Sequence, residues 1–511
     1  MKTIKTDVAI IGAGAAGIPA AIEAAQNGVK VDVFEQSDHA GGSCNGGNGV
    51  FAVESKMQKE KQYTYTKEEV LRYWMEYTHN SVDFRLVSEF INRSADTVEW
   101  LQNYGVELND LIAYYPGAMY VWHFRRDGSP FITGLLKPVS EQAGVVYHFN
   151  SAVDRLTMEN GQCIGFTGHD AGGPFQVEAG AVIIASGGTG KRADFVYQET
   201  GWMLGKDITV FPGMLCEDPS KAPKLGVELA WEAGAQHTRL MIDSFASIPD
   251  PNFGPGGVPA QLPWFRQPQN IFVNLHGERF IDEAEMKNGA MMGNNIAIQK
   301  QSTAFSIFTQ AMRDRYDNIG MDYQMGNVHF MDDLTPDEYL EMNWKRGNKD
   351  IMVFDTLEEL CGGMGIDRRL IETVQEYNDN IKSLKGDPIF HKDARYLTPI
   401  EGGKYYVAKF RRHCYGVMGG AADQLPGGGP EHRRRLHSRP VRGGQRRQLH
   451  LRRHLPLRPV RQHVQLRHQH RPHCRRAGRG LRQDALRISS FLLKKKRSKR
   501  KLQTDSTGPF A

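Results

Sequence analysis

The sequence predicts an α/β fold of the Rossmann-like kind, and three observations carry that reading. The first is an apolar run, Asp7-Val-Ala-Ile-Ile11, that passes straight into Gly12-Ala-Gly14-Ala-Ala-Gly17 and then into a helical stretch. The second is another apolar run, Val29 to Phe34, that ends on an acid, Glu35. The third lies far downstream, where Gly180-Ala-Val-Ile-Ile-Ala-Ser-Gly-Gly-Thr-Gly190 repeats the pattern of apolar run and glycines. Continuous apolar runs, rather than alternating ones, are how strands of a parallel sheet buried on both faces read.

Taken in order, each element has a physical role. Gly12 permits the tight turn after the first strand. Gly14 lets a phosphate approach the backbone, and Gly17 lets helix and strand pack closely. Ala15 and Ala16 stand at the head of the helix, where unpaired N–H groups and the positive end of the helix dipole favour an anion. The helix runs from Ile18 to Asn27, with Pro19 tolerable in its first turn and Gly28 closing it. Glu35 follows Gly17 by 18 residues, where a carboxylate can accept hydrogen bonds from ribose hydroxyls, and Gln36 adjoins it. Strand, turn, helix, strand and acid in one βαβ unit point to an adenine dinucleotide.

The fingerprint alone fits FAD and NAD equally. Two further segments favour FAD. Gly41-Gly-Ser-Cys-Asn-Gly-Gly-Asn-Gly49 can bring backbone N–H groups at Gly42, Ser43 and Gly47 against a ring or a phosphate. Ala185, Ser186 and Gly187, at the end of the downstream run, offer a second close approach. Between them, Val145 to Val153 and Cys163 to Thr167 flank a turn at Asn160-Gly161, a hairpin signal.

Composition bounds the rest. A chain of 511 residues exceeds one ordinary domain. It holds no apolar run of about 18 residues, so no membrane span is expected. The N-terminal run is short and enters a glycine turn, unlike a secretory signal, which points to the cytoplasm. The six cysteines form no C-x-x-C pair, so neither a zinc ribbon nor a dithiol centre is expected, nor any metal. The net charge of +6 belongs to the tail. Residues 431–503 hold 25 Lys or Arg and two acids, and removing them leaves 39 basic and 56 acidic residues, a balance of −17.

The quoted segments resemble the FAD-dependent fumarate reductase and succinate dehydrogenase flavoproteins, above all their soluble single-chain reductase relatives. Further matching stretches are Ala152-Val153, Glu228-Leu-Ala-Trp-Glu-Ala-Gly-Ala235, Gly277-Glu-Arg-Phe-Ile-Asp-Glu283, Tyr396-Leu-Thr-Pro-Ile400 and Gly416-Val-Met-Gly-Gly420. The resemblance implies FAD as cofactor, with its adenine near the backbone of Ala152 and Val153. It also implies an inserted α+β capping domain. The expected division is an FAD-binding domain over 1–236, a capping domain over 237–350, a return to the FAD domain over 351–420, and a basic tail over 421–511. Thr66-Lys-Glu-Glu69 is a capping box opening one helix, and Asp83 to Asn103 reads as another, their aromatics expected in the core.

The implied activity is reduction of the C=C bond of a small unsaturated carboxylate or enone by hydride from flavin N5. An unidentified partner or diffusible reductant supplies the electrons. In the family the proton donor is an arginine a few residues past the G-x-R-F motif, and Lys287 occupies that position here. A histidine–proline pair has no counterpart after His237. The histidine two residues before Met-Gly-Gly is replaced by Gly416, beside Tyr415, whose hydroxyl could polarise a ketone. Lys224-Leu-Gly226 replaces a glycine-aspartate-glycine stretch. These departures leave FAD in place and count against fumarate itself. A flavin dehydrogenase or oxidase running in the opposite direction is the alternative within the fold.

The tail has a separate explanation. From Glu431 to Arg487 it is Arg, His, Gln, Leu and Pro, the composition of a disordered basic arm or a nucleic-acid-binding segment. The genetic code offers a third reading. Back-translated and read one base later, His437 to Leu457 can spell Ile-Pro-Gly-Leu-Tyr-Ala-Ala-Gly-Asn-Asp-Ala-Asn-Phe-Ile-Tyr-Gly-Asp-Thr-Tyr-Pro-Phe. From Pro459 to Arg475 the same frame allows Leu-Ser-Gly-Asn-Thr-Ser-Ser-Phe-Ala-Ile-Asn-Thr-Gly-Arg-Ile-Ala-Gly. That resembles the family's last FAD motif and the helix after it. A frameshift between about 421 and 436 is therefore expected, which makes nucleic-acid binding by the tail a read-through artefact. The chain as written is then expected to lack the elements that close the FAD site and to fold poorly.

Overall fold

The computed structural model describes residues 1–46, 49–113, 117–125, 130–190, 192–210, 224–249, 262–323 and 336–422, without the side chains of Pro336, Tyr339 and Tyr415. The tail from 423, residues 250–261 and Gly47 lie outside the described residues.

The first sheet is built on β1 (Lys2–Ile11) and β2 (Val31–Phe34). Small antiparallel strands β3 (Gly49–Phe51), β4 (Asp110–Ile112) and β5 (Trp122–Phe124) form a separate ribbon. Then come β6 (Val146–His148), β7 (Ala152–Glu159), β8 (Gln162–Asp170) and β9 (Gly173–Ile184). The sheet order is β6-β2-β1-β9-β8-β7. Its first four strands are parallel, and β8 and β7 are added antiparallel. The Asn160-Gly161 hairpin joins β7 to β8, with both turn residues at positive φ (50° and 78°) as a type I′ turn requires.

The first helix, Gly17–Gln26, buries Ile18, Ala21 and Ile22 against the sheet and ends at Gly28, φ 83°. The capping box at Thr66 starts helix Lys67–Tyr77, and Asp83 caps Phe84–Asn103. Trp74 of the first packs with Phe51 and Phe90, but the aromatics expected in the core do not fill it. Tyr73, Tyr77, Phe84 and Phe90 are exposed, because the inward stripe of the two helices is aliphatic, with Val70, Val87, Ile91, Val98 and Leu101.

A second sheet gathers around β15 (Tyr405–Met418). β10 (Thr209–Val210), β11 (Met241–Ser247), β13 (Thr303–Thr309) and β14 (Ile351–Phe354) all pair with it, and β12 (Ile271–Asn274) pairs with β13. Its core joins Trp264, Phe265, Phe272, Phe305, Phe308 and Phe410. The segment after 350, expected to return to the nucleotide lobe, instead adds Ile351, Leu370, Val374 and Tyr377 to this second core. The reason is strand pairing, because β14 pairs with the first half of β15 in antiparallel register. Helix Arg369–Leu384 packs its apolar stripe over the result. No helix among the described residues is long and apolar enough to cross a membrane.

Candidate active site

The carboxyl ends of β1, β2 and β9 define the first half of the site. Strand order reverses beside β1, with the chain passing from β1 to β2 on one side and to β9 on the other, and crevices at such a point are where open α/β sheets bind ligands. Gly12, φ 104°, packs so tightly that a Cβ there would lie 2.4 Å from the Ala185 carbonyl oxygen. A Cβ on Gly17 would lie 1.9 Å from the Gly12 oxygen. Gly14 differs: the nearest atom to a Cβ there is the Gly41 oxygen at 3.8 Å. The space above it is open, and Ala15 and Ala16 beside it are exposed. Ala16 provides no side-chain cap and the first turn holds no acid, so nothing from the helix itself competes for an anion.

Glu35 sits at the end of β2 with one carboxylate oxygen accepting from Ala13 N at 2.8 Å and the other from Ser37 N at 3.0 Å. Each oxygen retains a further lone pair for ribose hydroxyls. Backbone bonds from Glu35 N to His148 O and from Ser151 N to Glu35 O, both 2.9 Å, bring Ala152 and Val153 beside Glu35 and the exposed Gln36. Ala185 N donates to Ile11 O at 2.7 Å, which sets Ser186 and Gly187 next to Gly12. Gly42 and Ser43 begin a short 3₁₀ turn whose entrance, Gly41, donates its N–H to Ala13 O at 2.8 Å. Close by in sequence, Thr189 is buried and its Oγ1 has no hydrogen-bond partner among the described residues. An open glycine, an uncapped helix head and an orphaned hydroxyl fit a dinucleotide running along this edge.

The second half of the site lies where helix Gly289–Ala297 meets β11. Gly289 and Gly293 permit that contact, since a Cβ on either would lie within 2.7 Å of Phe245. Lys287 ends the 3₁₀ turn just before this helix; it is exposed, and its nearest acid is Glu285 at 3.8 Å. Next to it, Asn288 caps the helix by accepting from Met291 N, and the same Oδ1 accepts from the Tyr77 hydroxyl at 3.0 Å. Tyr77 comes from the nucleotide lobe. Burial pushes its phenol up, and the nearby charge of Asp243 adds to that. Asp243 itself sits where β11 bulges against β15, and burial raises its carboxyl. On the same strand pair, Arg412 donates from Nε to Ser244 Oγ at 2.7 Å and lies over the Trp202 ring at 4.7 Å. Burial, aided by the Arg266 guanidinium, drives His413 down to about 4, so it is neutral at pH 7.

The motif Gly277–Glu283 turns out to be structural. Arg279 makes a bidentate pair with Glu283 at 2.8 Å and reaches Asp387 at 2.8 Å; Lys392, fully buried, pairs with Glu283 at 2.9 Å. Burial would raise the Glu283 carboxyl, but Lys392 and Arg279 outweigh it and hold it low. This network fixes the turn that presents Lys287. Sequence reasoning missed Tyr77, Asp243 and Asn288, because they converge from three distant segments and no spacing marks them. The side chain of Tyr415 and the residue Gly47 lie outside the described residues.

The profile of the FAD binding domain family matches residues 7–422. The chain is 28% identical to the vinyl phenol reductase of Lactiplantibacillus plantarum over 428 residues, 81% of this chain and 84% of that protein. Against the urocanate reductase of Eggerthella lenta it is 25% identical, covering 82% of this chain and 66% of that one. In structure it resembles the open conformation of a flavocytochrome c3 fumarate reductase, with TM-score 0.58, 22% identity, and 80% and 67% of the two chains covered. It also resembles a 3-ketosteroid-Δ4-(5α)-dehydrogenase from Rhodococcus jostii, with TM-score 0.59, 19% identity, and 82% and 84% covered. These two likenesses concern the fold.

Proposed function

Because this chain belongs to the FAD binding domain family, with residues 7–422 inside it, it is an FAD-dependent oxidoreductase, and we propose that it reduces the C=C bond of a small conjugated alkene. Gly12, Gly14, Ala15, Ala16, Gly17, Glu35, Gln36, Gly42, Ser43, Gly47, Ala152, Val153, Ala185, Ser186 and Gly187 would hold the cofactor. Bound FAD, once reduced, supplies a hydride.

The observation that carries the reading is the convergence of Lys287, Asn288 and Tyr77 at one junction. There a cation can meet the group conjugated to the alkene, beside the Tyr77 phenol, whose proton goes to Asn288 Oδ1 and holds the junction in place. Lys287 would stabilise charge developing on that group and deliver a proton to the second carbon. Tyr415 is a candidate to polarise a ketone. The second lobe would act as the cap that keeps water from the reacting atoms. Asp243, half-buried at the same place, would repel a dicarboxylate. We therefore favour a singly activated alkene, an enone or a hydroxylated aromatic alkene, over fumarate, in keeping with the vinyl phenol reductase among its relatives. The cytoplasm and a diffusible or protein electron donor belong to the same proposal.

The test is direct. FAD-loaded protein, reduced without oxygen, is mixed in turn with 4-vinylphenol, a cyclic enone, urocanate, acrylate and fumarate. Recovery of the oxidised flavin spectrum is expected with one of the first two. If no alkene restores it, reduction is the wrong assignment. Bleaching of oxidised flavin by a saturated ketone would instead favour the opposite direction of reaction.

A further inference from the structure

Resting on the reductase reading of the Lys287 junction, we propose that Asp243 and the open space over Gly416 form a subsite for a ring hydroxyl of the substrate, so that the alkene reduced here carries a free phenol. Asp243 lies on β11 between two register pairs, Ile242 with Val417 and Ser244 with Cys414. One residue of β11 thus stands opposite two of β15, Tyr415 and Gly416. Bulges of this kind re-aim side chains and are frequent beside active sites. The Asp243 side chain is half-buried, and among the described residues no hydrogen bond or ion pair reaches its carboxyl. It does face the junction: burial raises the Tyr77 phenol, and the Asp243 charge adds to that. A carboxyl withdrawn from water without a donor is costly. Such an acceptor is explained by a donor that arrives with the ligand.

Gly416 provides the room. Its φ is not positive, so the backbone there does not require glycine. Among the described residues, a Cβ on it would meet no atom within 4 Å, so packing does not require glycine either. Glycine inside a strand weakens it, and it often marks a place where a ligand comes close. Residues two apart on a strand share a face. Asp243 therefore shares its face with Met241, and Gly416 shares its face with Met418, the register partner of Met241.

The walls suit a flat ring. Met241 and Met418 are 38% and 51% exposed, and Met291, 40% exposed, donates its N–H to the same Asn288 oxygen that Tyr77 reaches. Thioethers hold aromatic rings through dispersion and sulfur–ring contacts. Charge then selects the donor. A carboxylate would meet Asp243 as a like charge, and an ammonium would bring its charge to the junction that Lys287 already holds. A neutral hydroxyl meets neither obstacle, and its bond to a carboxylate is short and charge-assisted.

Two saturated ligands that differ by a methyl group test the subsite without turnover. FAD-loaded protein is titrated with 4-ethylphenol and with 4-ethylanisole, and binding is read from the change in the oxidised flavin spectrum. The wild type is expected to bind 4-ethylphenol at least ~10-fold more tightly. In Asp243→Leu that preference should fall below about 2-fold, with Asp243→Asn, which keeps one acceptor oxygen, in between. Gly416→Val should hold FAD and unfold no earlier than wild type, yet weaken both ligands at least ~10-fold by filling the space. Equal affinity of the wild type for the two ligands overturns the assignment, as does binding of neither. So does a preference that survives in Asp243→Leu, or unchanged affinity in Gly416→Val. If Asp243→Leu fails to hold FAD, Asp243→Asn and Gly416→Val decide. Because the titration needs no hydride transfer, a failed reductase assay and a failed phenol preference are read separately.

Discussion

Thr238 and Gly420, 182 positions apart, hold each other through three hydrogen bonds. Thr238 N and Oγ1 both donate to the Gly420 oxygen, at 2.8 and 2.9 Å, and Gly420 N donates to the same hydroxyl at 2.7 Å. Trp231 Nε1 reaches that oxygen as well, at 3.2 Å. The clasp ties the end of β15 to the segment that leads into β11. Thr238→Val removes the hydroxyl and strands the Gly420 amide. A loss of about 1–3 kcal/mol in urea unfolding is expected, with Thr238→Ser close to wild type. Equal loss in both variants would mean that the methyl, not the hydroxyl, matters.

Two glycines of one motif separate folding from binding. Gly17→Ala forces a Cβ to 1.9 Å from a backbone oxygen and should cost about 3 kcal/mol or more of stability. Gly14→Ala meets no protein atom closer than 3.8 Å. It should leave unfolding within about 1 kcal/mol of wild type yet weaken FAD binding more than ~10-fold, measured by flavin titration. Tight FAD binding by Gly14→Ala would move the pyrophosphate elsewhere.

The buried network predicts an asymmetric pair of variants. Glu283→Gln leaves Lys392 uncompensated in a fully buried position and should cost about 3–5 kcal/mol. The double variant Glu283→Gln with Lys392→Met should recover part of that loss. Denaturant unfolding of the three proteins decides it, and additive losses would mean the pair is not coupled.

His413 predicts the pH dependence. Its folded value of about 4 lies below the ordinary 6.5, so the unfolded chain binds the proton more readily between those limits. Stability is therefore complete above pH 6.5 and falls as pH drops toward 4, by about 3 kcal/mol if this group acts alone. Unfolding curves at pH 7 and pH 5 should show the loss. His413→Gln should flatten it, and an unchanged slope would assign it to other groups.

Lys287 carries the chemical prediction. Lys287→Met should lower the rate of flavin reoxidation by an alkene by about 10²–10⁴-fold while leaving FAD affinity unchanged. Because the side chain is exposed and its nearest acid is 3.8 Å away, stability should change by less than about 0.5 kcal/mol. Full activity in Lys287→Met would remove it from the reaction.

The nucleotide lobe was legible in the sequence because its signals are local. A tight strand-to-helix turn needs glycines at fixed offsets, a strand needs an apolar run, and a hairpin needs Asn-Gly; each was read within a few residues and found in place. The family motif around Arg279 and Glu283 was also visible, but its meaning was not. That it is a buried ion network depends on Asp387 and Lys392, more than a hundred residues away.

By itself the sequence determined the βαβ cradle, the cofactor class and the break in character after Gly420, since short-range periodicity and the genetic code are properties of the chain alone. Only the tertiary structure decided that residues beyond 350 join the second core and that Tyr77, Asp243 and Asn288 meet near Lys287. Those outcomes rest on pairings between distant strands and on side chains arriving from separate lobes, and long-range contacts of that kind leave no periodic trace in a single sequence.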